Sequence, residues 1–352
     1  MPTTPRERWI AVLNHEKPDR IPTDFWGTQE VIDRLLKDLK CPTEDDLWRE
    51  LGVDKTHAVD PKYIGPEIRD GYNLWGVRYA KQSYADGMGS YDEVAECPLA
   101  KMTDPAELDD YPWPDPDWFD YSVIPEQLAC LEEWPILAGH YEAFYFYSNM
   151  RGVEAALMDL AVSPEFADHA LQKIFDFSYE YNRRMFEAAG KDSGILYTYI
   201  AEDLGSQSGL LMSLEMIDRF LLPRMRAMVD LAREYGIKTF HHDDGACFPA
   251  LPRIAEIGID ILNPIQWRCP GMERDKLKRE FGDAFVFHGG VDNQITLPFG
   301  TSDEVRNEVA ENIRILGAGG GYIAAPCHNI QPNTPTKNIL ALYEAANKYG
   351  AY

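Results

Sequence analysis

Residues 237–263, IKTFHHDDGACFPALPRIAEIGIDILN, decide the fold class. They predict a short apolar strand over 237–241, a helix over 249–257 and a second strand over 259–263. Two strands that are joined through a whole helix lie parallel to one another in a sheet. The stretch therefore predicts a βαβ unit, the building block of a parallel α/β sheet.

The same alternation extends in both directions from this unit. Further strands are predicted at 21–25, 135–139, 194–200, 284–288 and 321–325, and further helices at 213–235, 272–281, 302–316 and 335–348. Five strand–helix units in half of the chain favour a closed sheet over a short open one. We therefore expect a single (β/α)8 barrel domain of the TIM type over residues 1–352.

Residues 60–131 interrupt the alternation. Residues 73–84, NLWGVRYAKQSY, predict a small hairpin, and a stretch rich in Pro and Asp follows it. No shift in composition marks a domain boundary here, so we expect an irregular insertion within the barrel.

Composition excludes several classes of function. The 352 residues carry 58 Asp and Glu against 34 Lys and Arg, a formal net charge of −24. Such a charge disfavours nucleic acid and anionic membranes as partners. No stretch approaches the roughly 20 apolar residues that cross a membrane, and the charged start MPTTPRERWIAVLNHEKPDR does not resemble a secretory signal. We expect a cytoplasmic protein. Its six cysteines are scattered without a CxxC pair, and in a long chain without an export signal they are expected to be reduced.

Polar residues cluster where the predicted strands end. The set comprises Asp24, Trp26, His140, Glu202, Asp203, His242, Asp244, Asn263, Gln266, His288, Asp292, Cys327 and His328. Ligands of parallel barrels bind at the carboxyl ends of the strands, so these side chains are expected around one mouth. Of these, Trp26, His140, Asn263, Gln266 and His288 are candidates for substrate contacts. Tyr145, in an aromatic run after strand 135–139, is a further candidate for the pocket wall or a core residue.

His242 and Asp244 form the most informative pair. Side chains alternate along a strand, so His242 and Asp244 share one side while His241 and Asp243 share the other. Cys327 ends another strand at the same mouth. An imidazole, a carboxylate and a thiolate suit a zinc ion with one open position. Alternatively, His242 and Asp244 only hydrogen-bond one another and orient a loop.

The adjacent carboxylates of Glu202 and Asp203 precede a predicted loop. If both face a cleft, each raises the pKa of the other, which suits acid–base catalysis or binding of a cation. The alternative is that one carboxylate caps or orients the loop while the other faces water.

At these strand ends the chain resembles the uroporphyrinogen decarboxylase superfamily, which includes corrinoid-dependent methyltransferases such as methylcobalamin:coenzyme M methyltransferase. The resemblance is carried by four stretches: RERWIAVLNHEKPDRIP, FHHDDGACFPALPRIAEIGIDILNPIQ, FHGGVDNQITLPFGTSDEV and GGGYIAAPCHNIQPNTPTKNI. It spans nearly the whole chain and implies a barrel with its active site at the mouth.

The chain departs from the pattern of this superfamily in two places. The decarboxylases have an arginine-rich loop, MRQAGR, after the first strand, whereas this chain has DFWGTQEV. Without arginines, a polyanionic porphyrinogen is expected to bind poorly. The zinc methyltransferases have HxC and a distant Cys, whereas this chain has His242–Asp243–Asp244 and Cys327. An Asp ligand makes the site harder and less thiophilic.

The resemblance and the residues together predict a corrinoid-dependent, zinc-dependent methyltransferase. His242, Asp244 and Cys327 would hold Zn²⁺, and Glu202, Asp203 or Asp244 would act in catalysis. The cobalamin would arrive on a partner corrinoid protein, since no DxHxxG-type signature is present. A small methyl donor or acceptor and a second copy of the chain are further candidate partners. The alternatives are a lyase for a smaller carboxylic acid and a non-catalytic protein that binds a tetrapyrrole or corrinoid.

Overall fold

The structure, a computed structural model, describes residues 3–84 and 89–352. The strands are β1 His57–Val59, β2 Lys62–Tyr63, β3 Arg78–Tyr84, β4 Gly89–Glu96, β5 Phe119–Asp120, β6 Ile136–Tyr141, β7 Tyr197–Ile200, β8 Lys238–His242, β9 Ile261–Asn263, β10 Val286–Val291 and β11 Tyr322–Pro326. The helices are α1 Pro5–Leu13, α2 Gln29–Leu39, α3 Glu44–Leu51, α4 Ile124–Ala129, α5 Ala143–Arg151, α6 Val153–Val162, α7 Pro164–Ala189, α8 Leu214–Met216, α9 Leu222–Glu234, α10 Leu251–Ile257, α11 Arg274–Phe281, α12 Thr296–Phe299, α13 Ser302–Leu316 and α14 Thr336–Tyr349. One π-helical turn, Ile217–Leu221, joins α8 to α9.

Seven strands form one curled parallel sheet in the order β1-β6-β7-β8-β9-β10-β11. Each neighbouring pair is parallel, and helices connect successive strands. This confirms the predicted parallel α/β architecture and is consistent with a TIM-type barrel. All seven carboxyl ends therefore lie at one edge of the sheet, where the polar residues predicted from the sequence follow them.

The predicted first strand, 21–25, is not a strand in the structure, so among the described residues the parallel sheet has seven strands and not the eight expected. The segment makes a single parallel bridge, Thr23 with Ala324 of β11. On its other side, the Thr23 carbonyl accepts a hydrogen bond from Asp54 N at 2.9 Å. The segment thus lies between the two edge strands, β11 and β1. Pro22 has no N–H to donate, and the Asp24 carboxylate accepts from Phe25 N, which explains why no regular ladder forms.

Short elements fill the insertion between β1 and β6. Strands β3 and β4 pair antiparallel, as do β2 and β5. The hairpin therefore extends over 78–96 rather than 73–84; its tip, 85–88, lies outside the described residues. Residues 73–77 instead form a turn in which Asn73 Oδ1 accepts from Trp75 N and Val77 N, both at 3.0 Å.

Trp9 of α1 packs into the interior of the sheet. Its ring stacks on Tyr197 at a centroid distance of 5.5 Å, and its indole N–H donates to the Asp54 carbonyl at 3.0 Å. The same cluster contains one apolar side chain from each of the other strands β8 to β11: Phe240, Ile261, Val286 and Ile323. A separate, larger cluster fills the space between the sheet and the helices. Among the described residues, no helix has the length and hydropathy of a membrane span.

The interior packing predicts that Trp9→Ala destabilises the fold by about 3–5 kcal/mol, because it leaves a large cavity inside the sheet. Chemical denaturation would measure the free energy of unfolding. The neighbouring Ile10 is 38% exposed, so Ile10→Ala serves as the control and should cost less than about 1 kcal/mol. Equal losses in the two variants would contradict the assigned packing of α1.

Candidate metal centre

Three side chains at the mouth converge closely enough to hold one metal ion: His242, Asp244 and His328. One ligand atom from each lies within 4.8 Å of the others, and His242 Nε2 is 3.9 Å from Asp244 Oδ1. His242 ends β8, Asp244 follows two residues later, and His328 lies two residues beyond β11. Two imidazoles and one carboxylate form a donor set of the kind that holds catalytic zinc with one position open. The residues present therefore fit the metal expected from the sequence.

Cys327 does not belong to this cluster. Its thiol is buried and lies 3.4 Å from the Ile265 carbonyl oxygen, to which it donates. Burial raises the pKa of the Cys327 thiol well above its usual value, so the thiol stays protonated. The structure thus places His328 where the sequence analysis placed Cys327. Adjacent residues that follow a strand point to opposite sides. The sequence alone could therefore have shown that Cys327 and His328 do not both face the centre.

Burial shifts the ionisation of two of the clustered residues. It lowers the pKa of His328, although the nearby Asp244 carboxylate acts in the opposite direction, so the imidazole is neutral and able to bind a metal at neutral pH. Burial raises the pKa of Asp244, while the His242 and His328 imidazoles oppose this shift. Gln266 Nε2 donates to Asp244 Oδ1 at 2.8 Å and so orients the carboxylate. Gln266, expected to contact substrate, therefore supports a candidate ligand instead.

Asn263 and His288, also expected to contact substrate, are fully buried beneath the centre. Asn263 Oδ1 is 2.6 Å from His242 Nδ1, and Asn263 Nδ2 is 2.8 Å from His288 Nδ1. His288 Nε2 is in turn 3.2 Å from Asp24 Oδ2. Asn263 therefore contacts His242 directly and His288 reaches it through Asn263, and their full burial keeps both side chains beneath the centre rather than in the mouth.

His241 and Asp243 face away from the centre, as the alternation along β8 predicts. His241 Nδ1 lies 2.9 Å from the Ile200 carbonyl oxygen. Asp243 Oδ1 accepts hydrogen bonds from Leu204 N and Gly205 N, both at 2.9 Å. Both side chains are fully buried, so they anchor the loop after β7 to β8.

The two adjacent carboxylates after β7 have different roles. Glu202 is fully buried and accepts from Phe144 N in the first turn of α5, at 2.9 and 3.1 Å. It therefore caps α5 instead of reaching the mouth, which favours the loop-orienting alternative for this residue. Burial raises the pKa of Glu202 well above its usual value. Asp203 is partly exposed, and its Oδ1 accepts from Asp244 N at 3.3 Å, beside the centre.

Aromatic rings and carboxylates surround the open part of the mouth. The Trp26 ring stacks on His242 at 5.7 Å and approaches His328 edge-on at 6.5 Å. A cavity of about 370 Å³ extends from the ends of β1, β6 and β7; it is lined by Ala58, Val59, Asp60, Leu137, Ala138, Gly139, His140, Glu142 and Tyr199. His140 Nε2 is 3.0 Å from Glu142 Oε2. Tyr145 is 42% exposed; partial burial of its hydroxyl, together with the nearby charges of Glu142 and Asp203, raises its pKa.

The sequence analysis missed three residues of this cavity: Asp60, Glu142 and Tyr199. Tyr199 lies one residue before the end of the predicted strand 194–200 and shares a side of it with Tyr197, so its inward direction could have been predicted. Its ring is 6.0 Å from that of His242. Asp60 and Glu142 follow β1 and β6 directly, but β1 itself was not predicted.

A larger cavity, about 740 Å³, lies on the outer surface between α9 and α10 and contacts none of the strand-end residues.

Comparison with known proteins identifies the family. The family described as uroporphyrinogen decarboxylase (URO-D) matches residues 123–349, well over half of the chain. The chain belongs to the uroporphyrinogen decarboxylase family. This confirms the resemblance seen in the sequence.

Individual relatives of this URO-D family protein are distant. Uroporphyrinogen decarboxylase of Anaeromyxobacter dehalogenans is 26% identical over 136 residues, covering 39% of this chain and 37% of that protein. The enzyme of Pseudomonas putida is 24% identical over 284 residues, covering 76% and 75%. The match to the Anaeromyxobacter dehalogenans enzyme thus spans well under half of that enzyme's length, as do the matches to two further curated decarboxylases. A solved methyltransferase from Methanosarcina mazei is 21% identical, covers 99% of each chain and has a TM-score of 0.67. This likeness shows a shared fold.

The geometry predicts that His328→Ala lowers zinc affinity by at least about 100-fold, because losing a ligand costs more than losing an outer-shell partner. Cys327→Ser is the matched control at the adjacent position, and it should retain zinc, since a serine hydroxyl can still donate to the Ile265 carbonyl. Metal content after dialysis, measured by plasma mass spectrometry, distinguishes the two variants. If Cys327→Ser lost zinc and His328→Ala retained it, the result would contradict this prediction and support the thiolate ligand expected from the sequence.

Proposed function

We propose that this URO-D family protein is a zinc-dependent methyltransferase that moves a methyl group between a small substrate and a corrinoid carried by a partner protein. The observation that carries the proposal is the cluster of His242, Asp244 and His328 at the mouth. Asp244 is 33% exposed, so the centre is accessible to a substrate in the mouth. Its position at the carboxyl ends of the strands is where parallel barrels carry out chemistry.

The donor set determines what kind of substrate the centre suits. Zn²⁺ held by His242, Asp244 and His328 would supply Lewis acidity to the substrate atom that gives or receives the methyl group. Two imidazoles and a carboxylate are harder ligands than thiolates. A substrate that reacts through oxygen therefore suits this centre better than a thiol.

The protein's own residues would handle the proton and the water around the substrate. Asp203 is partly exposed beside the centre, which places a carboxylate where a hydroxyl proton must be accepted or returned. Trp26 and Tyr199 present apolar ring surface next to His242. A substrate that covers these rings would displace water and strengthen the polar contacts at the centre.

The charge of the mouth disfavours porphyrinogen decarboxylation. Four carboxylates lie around the opening: Asp60, Glu142, Asp203 and Asp244. Among the described residues, no arginine lines the cavity beside β6 or the cavity of about 300 Å³ beside Trp26. Lys55 lines the second cavity, but its ammonium donates to the Phe25 carbonyl and lies 3.9 Å from Asp24. Arg268 lines a third, small cavity with Gln266 and Cys327, but its guanidinium donates to Asp292 and Thr296. A tetrapyrrole with several carboxylates would therefore meet mainly negative charge here.

The proposal predicts that the zinc-loaded protein changes the visible spectrum of a cobalamin in the presence of a small hydroxyl or methyl-ether substrate. Asp203→Asn should lower kcat by about 100-fold or more while zinc content stays unchanged. Glu256→Gln, which removes one charge from the outer surface of α10, should match the wild type in both measurements.

Two alternative functions give different results in the same assays. Conversion of uroporphyrinogen to coproporphyrinogen, or zinc-independent loss of CO₂ from a smaller acid, would overturn the proposal in favour of a decarboxylase. Tight binding of cobalamin without turnover across a panel of donors and acceptors would indicate a binding protein.

A further inference from the structure

We propose that Asn263, His288 and Asp24 are positioning residues that hold His242 in one tautomer, with its proton on Nδ1 and its Nε2 lone pair directed towards the metal centre. The inference rests on the metal centre of the proposed function and assigns a role to three residues at its base. They form a continuous buried chain of side-chain contacts from His242 to Asp24.

The orientation of the Asn263 amide is fixed by His288. Asn263 Nδ2 has two acceptors on that side, His288 Nδ1 at 2.8 Å and the His288 carbonyl oxygen at 3.4 Å. The amide oxygen must therefore face His242, where it can only accept. The 2.6 Å contact with His242 Nδ1 then requires a proton on that nitrogen. A neutral imidazole with its proton on Nδ1 leaves Nε2 free as a metal ligand.

The tautomer of His288 is fixed by its two hydrogen-bond partners, Asn263 and Asp24. Its Nδ1 accepts from Asn263, so its proton is on Nε2, which faces Asp24 Oδ2 at 3.2 Å. Asp24 cannot turn away, because its carboxylate also accepts from Phe25 N at 2.8 Å, Trp26 Nε1 at 3.0 Å and Thr56 N at 3.3 Å. Burial acts to raise the pKa of Asp24, but Lys55 and the bond from His288 bring it to about 2, so the acceptor is ionised.

Fixing the tautomer matters because only one form of His242 can bind a metal through Nε2. A protein that populates the competent form only partly binds its ligand more weakly by that fraction. Outer partners of metal-ligating histidines typically contribute 10–100-fold to metal affinity. Asn263 is such a partner of His242. Asn263 and the two residues behind it, His288 and Asp24, are all fully buried.

His288→Phe tests the proposal with little disturbance of packing. The His288 ring lies among Trp9, Trp26 and Phe240 at centroid distances of 5.1–6.0 Å, so a phenyl ring keeps these contacts and removes both nitrogens. Asp24 retains its bond from Trp26, and Asn263 Nδ2 retains the carbonyl oxygen of residue 288. Only this longer 3.4 Å contact then holds the Asn263 amide, so the flipped orientation, with the NH₂ group facing His242, becomes populated.

Two measurements follow. Competition for Zn²⁺ against a chromophoric chelator should show affinity reduced about 10–100-fold in His288→Phe. Long-range ¹H–¹⁵N correlation spectra of the metal-free protein should show His242 with its proton on Nδ1 in the wild type and a mixture of tautomers in the variant. Asn263→Leu is the second variant and should give the same two changes. Asn338→Leu is the control, because Asn338 is an equally buried amide that bonds Leu297 and Gly300 carbonyls on the outer helices.

The outcomes separate the inference from the proposed function. An unchanged His242 tautomer and zinc affinity within about twofold of wild type in folded His288→Phe would overturn the positioning role. A wild-type protein that binds no zinc would overturn the metal centre, whereas the tautomer spectra would still report on the chain of contacts. Equal loss of affinity in Asn338→Leu would show a general effect of destabilisation and also overturn the inference.

Discussion

The buried carboxylate of Asp24 is the constraint on which both the fold and the candidate centre depend. It is fully buried and accepts hydrogen bonds from the backbone at Phe25 and Thr56 and from the side chains of Trp26 and His288. An ionised group without these partners could not remain in the interior. One side chain thereby connects the segment beside β11, the entry to β1 and the middle of β10. These contacts hold Trp26 against His242, and they hold His288 against Asn263, which in turn contacts His242.

The candidate function follows from the ligand atoms and the surface of the mouth that remain accessible to a substrate. Asn263 and Gln266 occupy the inner sides of His242 and Asp244, so the remaining ligand atoms face the mouth. The mouth combines carboxylates with the rings of Trp26 and Tyr199, a surface better suited to a small neutral or cationic substrate than to a polyanion. The solved methyltransferase from Methanosarcina mazei shares this fold, and the mouth is where a change of substrate on a shared fold would be expected.

The sequence predicted the features that depend on local pattern. The alternation of strands and helices gave the parallel sheet, and the period of two gave the opposite directions of His242 and His241. The failures involve side chains that replace backbone bonds or link distant segments. Residues 21–25 did not form a strand because side-chain carboxylates accept two of the backbone N–H groups there: Asp54 accepts from Thr23 N, and Asp24 accepts from Phe25 N. Glu202 caps a helix that starts nearly 60 residues earlier in the chain, a contact that only the folded structure brings together.

The most direct test of the account is anomalous diffraction at the zinc edge from crystals grown with Zn²⁺. The account predicts one strong peak bounded by His242 Nε2, an Asp244 carboxylate oxygen and a His328 ring nitrogen, with bonds of about 2.0–2.2 Å. His242 Nδ1 should still contact Asn263 in that structure. A peak beside the Cys327 sulfur, or no ordered zinc at the mouth of a protein that transfers methyl groups, would contradict it.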